Sequence, residues 1–465
     1  MKRFTRILIC LLLCVVSFSL VACDNRTKEE KAFTYPSVGD PEFSNGGLAV
    51  RSGNYLYFVN GFKSVNSTEH VQEGEYVHGA LMLVKLTADG EVVKGGDLLT
   101  DEYYITMSEK LCGFEATNLF IAGEYLYFTS TCQENLGGEY ASNGKTEWAK
   151  NIVDFNRIKL DKSSDVERVY RSEIGYDALD YEYYASNGNV FILIHENGTN
   201  LEDGAKEKAL MRVDCNTKST TEIARGVSSV DMKNGANIVF ANSVKEGQTT
   251  KYNLKKYNIF SNSTEDFVTK DTAERTVKFV GDNYAYATYK VSDSATALER
   301  YNLADKVKSV VTYSANLFED LRVSETGNEV IAVDGNKFYF LNQDDPFAEN
   351  PRRALIAEDA DATSVTIVGL TNGCVIYLDN NNNLKSVSYS DSLANEETVE
   401  VETIATLEGH NTTYFDYASD DQYLYFYKKV GGHEYLHRIK IVNNNSEAEE
   451  MVGVYIDGDA PTVEE

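Results

Sequence analysis

The stretch Leu48-Ala49-Val50-Arg51-Ser52-Gly53-Asn54-Tyr55-Leu56-Tyr57-Phe58 indicates the fold. Two short runs of strand-forming residues flank a tight Gly-Asn turn, which is typical of a β-hairpin. The arrangement returns at Leu119–Phe128, where Gly123 takes the place of Gly53. The sequence therefore predicts an antiparallel hairpin that the chain uses more than once.

Weaker copies of this hairpin fill the rest of the chain. One strand residue from each copy serves as a marker: Tyr55, Tyr125, Val190, Ile238, Tyr284, Val330, Val375 and Tyr423. The markers are 70, 65, 48, 46, 46, 45 and 48 residues apart. A third alternating run such as Lys337–Leu341 follows each copy, and a fourth short apolar run such as Glu222–Ala224 completes the unit. Four strands in about 46 residues is the period of a propeller blade.

We therefore predict an all-β chain with a single β-propeller of eight four-stranded blades. Seven blades follow if one weaker copy is not a blade. The propeller is expected to cover residues 45–456, with an acidic C-terminal tail at 457–465.

The composition supports a packed domain with an acidic surface. The chain has 465 residues, 44 Lys and Arg against 72 Asp and Glu, and a formal charge of −28. Hydrophobic residues make up 42% and aromatic residues 11%, which is enough for a core and excludes bulk disorder. The acidic surplus argues against a general basic surface, and therefore against nucleic acid or anionic lipid as a partner bound through one.

The first 22 residues have the pattern of an export signal. A basic head, Met1–Arg6, precedes an apolar run, Ile7–Leu20, which is shorter than the roughly 20 residues that a transmembrane helix needs. The run ends in Leu20-Val21-Ala22-Cys23, which resembles the lipobox of bacterial lipoproteins. The resemblance implies cleavage after Ala22 and acylation of Cys23. A plain signal peptide followed by a chance cysteine is the alternative.

Residues 23–44 are polar and are predicted to form the lipidated cysteine and a flexible tether. We therefore expect the mature protein to be attached to the cell membrane through the lipid on Cys23, on the extracytoplasmic face.

The Tyr-Leu-Tyr-Phe strands and the 46-residue period resemble bacterial surface lipoproteins with propeller domains of unknown function, which are likened to the low-density-lipoprotein-receptor type. The chain lacks the Tyr-Trp-Thr-Asp box of that type, and it has a single tryptophan. The resemblance therefore implies an architecture and no catalytic residues.

Two motifs look like metal sites. His433-Glu434-Tyr435-Leu436-His437 matches the H-E-x-x-H zinc motif, which requires a helix to bring both imidazoles to one ion. The surrounding residues alternate as in a strand, where residues four apart are separated by about 13 Å. Asp379–Asn383 resembles the start of a calcium loop without its glycine and closing glutamate, and an Asn-rich turn is the favoured interpretation. We therefore expect no bound metal and no cofactor.

Four cysteines remain in the predicted domain. Cys112 and Cys132 lie 11 residues before and 9 residues after Gly123, so antiparallel strands leaving that turn could place them opposite each other. An exported protein meets oxidising conditions, and we predict a disulfide between them. Two free thiols in an offset register are the alternative. Cys374 lies in an apolar strand and is interpreted as a small core residue.

The long connections between second and third strands in the first three blades mark the predicted binding face. They are Asn60–Gly79, Ser130–Asn151 and His195–Lys206. Long loops on a rigid scaffold often carry function. They hold the candidate binding residues Trp148, Tyr140, Tyr76 and His78, since exposed aromatic residues anchor many interfaces. Gln343–Arg353 and Tyr389–Glu400 form a competing site on the opposite face. The remaining alternative is that the long loops have no function and Trp148 packs on its own blade.

These features favour a non-catalytic binding or scaffold module at the cell surface with an unidentified protein or glycan ligand. The alternative is an extracytoplasmic hydrolase or lyase of glycans or peptides, with carboxylates at the mouth of the propeller channel. An enzyme of that kind should bring carboxylates from different blades within about 5–10 Å of each other.

Overall fold

The structure is a computed structural model. It describes residues 47–53, 55–60, 80–87, 90–92, 97–104, 119–131, 153–160, 163–172, 179–199, 206–232, 235–281, 283–293, 295–314, 320–323, 330–341, 353–371, 373–407, 409–418, 422–430, 433–442 and 445–452.

The described residues form 33 strands and one helix, grouped into eight blades. Blades one to four contain β1 (Ala49–Ser52), β2 (Tyr55–Asn60), β3 (Ala80–Lys85), β4 (Asp97–Tyr104); β5 (Phe120–Ala122), β6 (Tyr125–Thr131), β7 (Val153–Lys159), β8 (Glu167–Ser172); β9 (Leu179–Ser186), β10 (Asn189–Thr199), β11 (Lys206–Asp214), β12 (Ser219–Arg225); and β13 (Val227–Asp231), β14 (Ile238–Glu246), β15 (Thr249–Asn258), β16 (Ser263–Asp271).

Blades five to eight contain β17 (Thr276–Val280), β18 (Tyr284–Ser292), β19 (Ala295–Asn302), β20 (Lys308–Ser314); β21 (Asp320–Val323), β22 (Val330–Asp334), β23 (Lys337–Leu341), β24 (Arg353–Glu358); β25 (Val365–Thr371), β26 (Cys374–Asp379), β27 (Asn383–Ser388), β28 (Glu402–Thr406); and β29 (His410–Ala418), β30 (Tyr423–Val430), β31 (His433–Val442), β32 (Asn445–Ser446), β33 (Glu450–Met451). Helix α1 (Tyr389–Asn395) follows β27 in blade seven.

Each blade is an antiparallel sheet whose strands pair in chain order. In blade eight the fourth position is shared, because β32 and β33 both pair with β31. The eight sheets confirm the prediction of eight blades and exclude the count of seven. First strands of neighbouring blades approach each other, as β13 approaches β17 and β1 approaches β5, so they lie nearest the centre of the ring.

Antiparallel pairing places successive connections at opposite edges of a blade. We call the edge with connections between first and second strands, and between third and fourth strands, the turn face. The other edge holds the connections between second and third strands and those between blades, and we call it the loop face. Because β1 runs towards Gly53 on the turn face, the chain reaches β1 on the loop face. There the Leu119 amide donates to the Gly47 carbonyl at 3.1 Å, so blades one and two begin side by side.

The apolar core lies between neighbouring blades. In blade three, Tyr183 stacks on Phe120 of blade two with ring centroids 5.3 Å apart. Leu56 and Phe58 of blade one share a buried cluster with Tyr425 of blade eight. The ring therefore closes through packing of the first blade on the last.

A cation over an aromatic ring recurs in four blades. In each case a third-strand arginine pairs across the ladder with the residue two positions after the aromatic residue. The guanidinium-to-centroid distances are 4.5 Å for Arg157 over Tyr125, 4.0 Å for Arg212 over Phe191, 4.6 Å for Arg300 over Tyr284 and 4.1 Å for Arg438 over Tyr423. Diagonal neighbours on a sheet face are within reach of long side chains, so the shared register produces the same contact in each blade.

The cation of the third strand also bonds to the next blade. Arg212 Nε donates to the Ile259 carbonyl at 2.9 Å, and Lys256 Nζ donates to the Leu303 carbonyl at 3.1 Å. At the closing junction, Arg438 Nη2 donates to the Gly90 carbonyl of blade one at 2.6 Å. The junction that closes the ring is therefore built like the junctions inside it.

The turns between third and fourth strands repeat in blades three, four and five. The side chains of Asp214, Asn258 and Asn302 each accept hydrogen bonds from the backbone N–H groups two and three residues later. Such Asx turns satisfy backbone groups that no strand partner reaches. Three consecutive blades therefore share one turn structure at a fixed period.

Candidate functional site

The predicted binding residues lie outside the described residues. This applies to Trp148, Tyr140, Tyr76 and His78, to Cys112 and Cys132, and to Cys23. The strands that border the first two long connections are described. Asn60 pairs with Ala80, and Thr131 pairs with Val153. Connections 61–79 and 132–152, each about 20 residues long, therefore leave from paired strand ends of two neighbouring blades on the loop face.

The predicted third long loop, His195–Lys206, is wrong in its bounds. Strand β10 continues to Thr199, so only residues 200–205 connect it to β11. His195 is buried within this strand, with Nε2 3.2 Å from the Val227 carbonyl and Nδ1 3.5 Å from Asp180 Oδ2. The Nε2 contact holds the strand against blade four, and the Nδ1 contact joins it to β9 of its own blade, so the hairpin extends beyond the predicted turn.

The competing segment Tyr389–Glu400 is also not a simple loop. Its first part forms helix α1, which begins after the N-cap Ser388, whose side chain accepts a hydrogen bond from the Asp391 amide. Glu396 follows the helix in a left-handed conformation with φ 55°. A two-turn helix on the turn face therefore replaces part of this predicted loop.

The described residues contain two carboxylates from different blades that meet around one lysine. Asp359 follows the last strand of blade six, and Asp379 ends β26 of blade seven. Lys385 Nζ lies 2.8 Å from Asp359 Oδ2 and 3.0 Å from Asp379 Oδ2, so the two oxygens are less than about 6 Å apart. Tyr377 donates its hydroxyl to Asp359 Oδ2 at 2.8 Å. We call these four residues the Lys385 cluster.

The Lys385 cluster brings two carboxylates together, but all three charged side chains are buried and both carboxylates bond to the one lysine. Asp359, Asp379 and Lys385 are 2%, 3% and 4% exposed. Burial alone would raise the pKa of Asp379, but hydrogen bonds from Asn383 and Lys385 outweigh it and hold that pKa below its ordinary value. Burial would lower the pKa of Lys385, but its bonds to both carboxylates raise it. An ionised Asp379 beside a protonated Lys385 suits the cluster to joining two blades.

A second buried cluster joins blades four and five. Glu299 is fully buried, and its Oε2 accepts from Arg275 Nε at 2.9 Å and from the Tyr301 hydroxyl at 2.5 Å. Lys308 Nζ lies 2.7 Å from Oε1, and Arg275 Nη1 also contacts Asp271 Oδ2 at 3.0 Å. Burial, followed by the bond to Glu299, raises the pKa of Tyr301 above its ordinary value. Two cations balance two carboxylates, so this cluster also stabilises a junction.

These clusters were missed by the sequence interpretation. Their signal is weak, since Glu299 lies beside Arg300 in β19 and Lys385 is the one charged residue of β27. A strand pattern alone does not show which face of a third strand is covered by the next blade. Their partners Arg275 and Asp359 lie in connections between blades, where no periodicity marks them.

The H-E-x-x-H motif lies on a strand, as predicted. His433 pairs with Val430 and His437 pairs with Phe426 in one continuous ladder. His437 Nδ1 is 2.8 Å from Glu449 Oε1, and hydrogen bonds from His437 and Lys428 hold the pKa of Glu449 below its ordinary value. The strand therefore directs His437 into a contact with the fourth-strand position of blade eight.

The Asp379–Asn383 segment is an Asn-rich turn, as predicted. Asp379 Oδ1 accepts hydrogen bonds from the amides of Asn381 at 2.8 Å and Asn383 at 2.9 Å. Cys374 is buried in β26, which confirms its interpretation as a core residue. Within the ranges that the structure describes, no group of three or more His, Cys, Asp and Glu side chains is placed to hold a metal ion. None of the helices formed by those residues has the length and apolar content to cross a membrane.

Comparison with known proteins shows a fold likeness. No family model and no curated protein matches the chain. A solved structure described as the Dos1 propeller is similar at 12% identity and a TM-score of 0.45, over 86% of this chain and 95% of that one. Dipeptidyl peptidase 4 of Porphyromonas gingivalis is similar at 9% identity and a TM-score of 0.47, over 87% of this chain and 59% of that one.

An oligogalacturonate lyase in complex with manganese is similar at 11% identity and a TM-score of 0.36, over 78% of this chain and 83% of that one. At these identities the likeness concerns the propeller fold alone. The resemblance to surface lipoproteins with a receptor-type propeller stays a prediction.

Proposed function

We propose that the protein is a lipid-anchored extracytoplasmic β-propeller that acts as a non-catalytic binding or scaffold module at the cell surface. The observation that carries the proposal is the position of connections 61–79 and 132–152. Both leave from paired strand ends on the loop face of adjacent blades. Long connections on rigid strands are common carriers of binding function.

The opposite face offers less reach in these blades. Gly53 with its neighbour, and Gly123 with Glu124, close the first hairpins of blades one and two in two residues each. The side chains proposed to contact the ligand are Trp148 and Tyr140 in the second connection, with Tyr76 and His78 in the first. Tyrosine and tryptophan supply large contact areas at low entropic cost, which suits them to a protein or glycan ligand.

The proposed anchor is the acylated Cys23. Intact mass of protein purified from membranes tests it, since acylation adds the mass of the lipid to a chain that begins at Cys23. The variant Cys23→Ala is expected to leave the membrane fraction. An unmodified Cys23, or equal release of wild type and variant, contradicts the anchor.

The binding role is tested with the soluble domain from about Glu42 onward, used as bait on a surface extract of the parent organism. Three variants are compared with the wild-type domain: Trp148→Ala, replacement of 132–152 by a short Gly-Ser turn, and the matched replacement of 342–352, which connects strands on the turn face. A ligand retained by wild type and by the 342–352 variant, and lost from the other two, supports the proposal. Retention by all three variants contradicts the assigned face.

The alternative, a hydrolase or lyase of glycans or peptides, gives a different outcome with the same bait. A substrate is converted, so the recovered glycan or peptide changes in mass after incubation with the domain. A binding module returns its ligand unchanged.

A further inference from the structure

The position of the first strand fixes where the tether joins the propeller. Strand β1 is the first strand of blade one, and it starts on the loop face, because it runs towards the turn at Gly53. First strands lie nearest the centre of the ring, and Gly47 is bonded to Leu119 at the start of blade two. The N-terminal segment therefore joins the propeller close to its axis on the loop face.

The other end of the described chain lies on the same side. The last strand, β33, is antiparallel to β31, which starts on the loop face after blade eight's second strand. The Val452 amide continues this pairing by donating to the Leu436 carbonyl at 2.9 Å. The turn face thus consists of connections internal to blades, including the repeated Asx turns of blades three to five.

The length of the N-terminal segment can be compared with the height of a blade. A flexible chain of about 24 residues, the number from Cys23 to Gly46, has a root-mean-square end-to-end distance of roughly 27 Å. A nine-residue strand such as β14 is about 30 Å long. On this estimate, an anchor at Cys23 would keep the attachment point within about 27 Å of the bilayer, and the opposite face of the same blade would lie about one strand length further away.

We propose that the loop face is the membrane-proximal face of the anchored protein, opposed to the lipid surface, and that the turn face is presented outward. This inference rests on the proposed anchor at Cys23. It means that a ligand of connections 61–79 and 132–152 is met in the gap between propeller and membrane. Partners that approach from outside then meet the turn face, which carries the Asx turns of blades three to five and helix α1.

The test is energy transfer from a dye on the protein to acceptor-labelled lipid headgroups in vesicles that carry the full lipidated chain. Donors are attached to single cysteines at matched positions of the same two blades. Gln248→Cys and Asp293→Cys lie on the loop face of blades four and five, and Ser261→Cys and Ala304→Cys lie on their turn face; all four positions are exposed. The background carries Cys112→Ser and Cys132→Ser, and Cys215 and Cys374 are buried.

We expect transfer at least about twofold higher from each loop-face site than from its turn-face partner, because the paired sites differ in height by about 30 Å. Equal transfer, or higher transfer from the turn face, overturns the inference. Flotation with the vesicles separates the two proposals. If wild type floats and Cys23→Ala does not, the anchor is supported, and the energy-transfer values then test the orientation alone. If wild type fails to float, the anchor fails and the orientation falls with it.

Discussion

The Arg438 guanidinium of blade eight donates a 2.6 Å hydrogen bond to the Gly90 carbonyl of blade one, although 348 residues separate them. The same guanidinium is held by Glu450 Oε2 at 2.8 and 2.6 Å, and Glu450 Oε1 accepts from the Val92 amide at 2.8 Å. Two strands of two residues, β32 and β33, suffice at the edge of blade eight because β33 supplies this glutamate. The closing contact is thus made by side chains bonding to backbone.

Replacing Arg438 tests this closure. Arg438→Met removes the bonds to Gly90 and Glu450 and the contact with Tyr423. We expect a loss of about 3 kcal/mol in the free energy of unfolding, because breaking a buried ion pair leaves its partner uncompensated. Equilibrium urea unfolding measures it. Arg225→Met, which breaks an exposed pair with Glu222, is the control and should cost less than about 1 kcal/mol. Equal losses in both variants would show that Arg438 does not close the ring.

The Lys385 cluster predicts a loss of stability in acid. The pKa of Asp379 is lower in the folded protein than the ordinary value of about 3.9, so the unfolded chain binds the proton more readily. The stabilisation is fully present above pH 4 and is lost as pH falls through the folded pKa. We therefore expect Asp379→Asn to be less stable than wild type at pH 7, with the difference shrinking below about pH 4. The measurement is urea unfolding at several pH values, with Asp293→Asn at an exposed site as control. A difference that does not change with pH would be inconsistent with this interpretation.

Gly369 lies against Tyr417 at the junction between blades seven and eight, and a substitution there tests how tightly the junction is packed. A Cβ at this position would lie 2.7 Å from Tyr417 Cδ1, closer than real contacts. Gly369→Ala is therefore expected to lower the unfolding free energy by about 1–3 kcal/mol through overpacking. The smaller side chain in the double variant Gly369→Ala/Tyr417→Leu should recover part of the loss. A double-mutant cycle of thermal unfolding measures the coupling, and additive effects would refute it.

His433 and His437 are expected to bind no zinc. Their strand places them about 13 Å apart, whereas both imidazoles would have to lie within about 2.1 Å of one ion. Metal analysis of the purified protein should give no stoichiometric zinc. His437→Ala should leave the metal content unchanged while lowering stability, because it removes the contact with Glu449. Zinc that is present at one equivalent and lost in this variant would overturn the prediction.

The proposed disulfide between Cys112 and Cys132 is tested by counting thiols. Titration of the unreduced, denatured soluble domain should find two thiols, those of Cys215 and Cys374. The Cys112→Ser variant should then show three, because its former partner becomes free. Four thiols in the wild-type domain would refute the bond.

The blade count could be predicted because strand alternation and turn residues are local signals. Each hairpin marker, from Tyr55 to Tyr423, lies in the second strand of its blade. Cys374 and the Asn-rich turn after Asp379 were also interpreted correctly, since both depend on immediate neighbours. Where contacts between blades determine the local structure, local sequence signals do not predict it. The sequence predicts His195 in a loop, yet its contact with Val227 of the next blade extends the strand.

Charged contacts between blades are the other feature that the local sequence pattern does not predict. Asp359 and Lys385 are 26 residues apart and meet only after two blades pack. Helix α1 was missed because seven residues are too few for a helical period to stand out. The candidate binding residues, including Trp148 and His78, lie outside the described residues and stay predictions.

The contact between Arg438 and Gly90 has the same form as that between Arg212 and Ile259, so the junction that closes the ring uses a contact that is also found inside it. A ring that shared one strand between its two ends would have to be opened there to unfold or to be rearranged. Here the two ends of the described chain meet at a junction whose contact recurs between blades three and four. Linking them and cutting the chain at another joint would produce a circular permutant with every blade still built from consecutive residues.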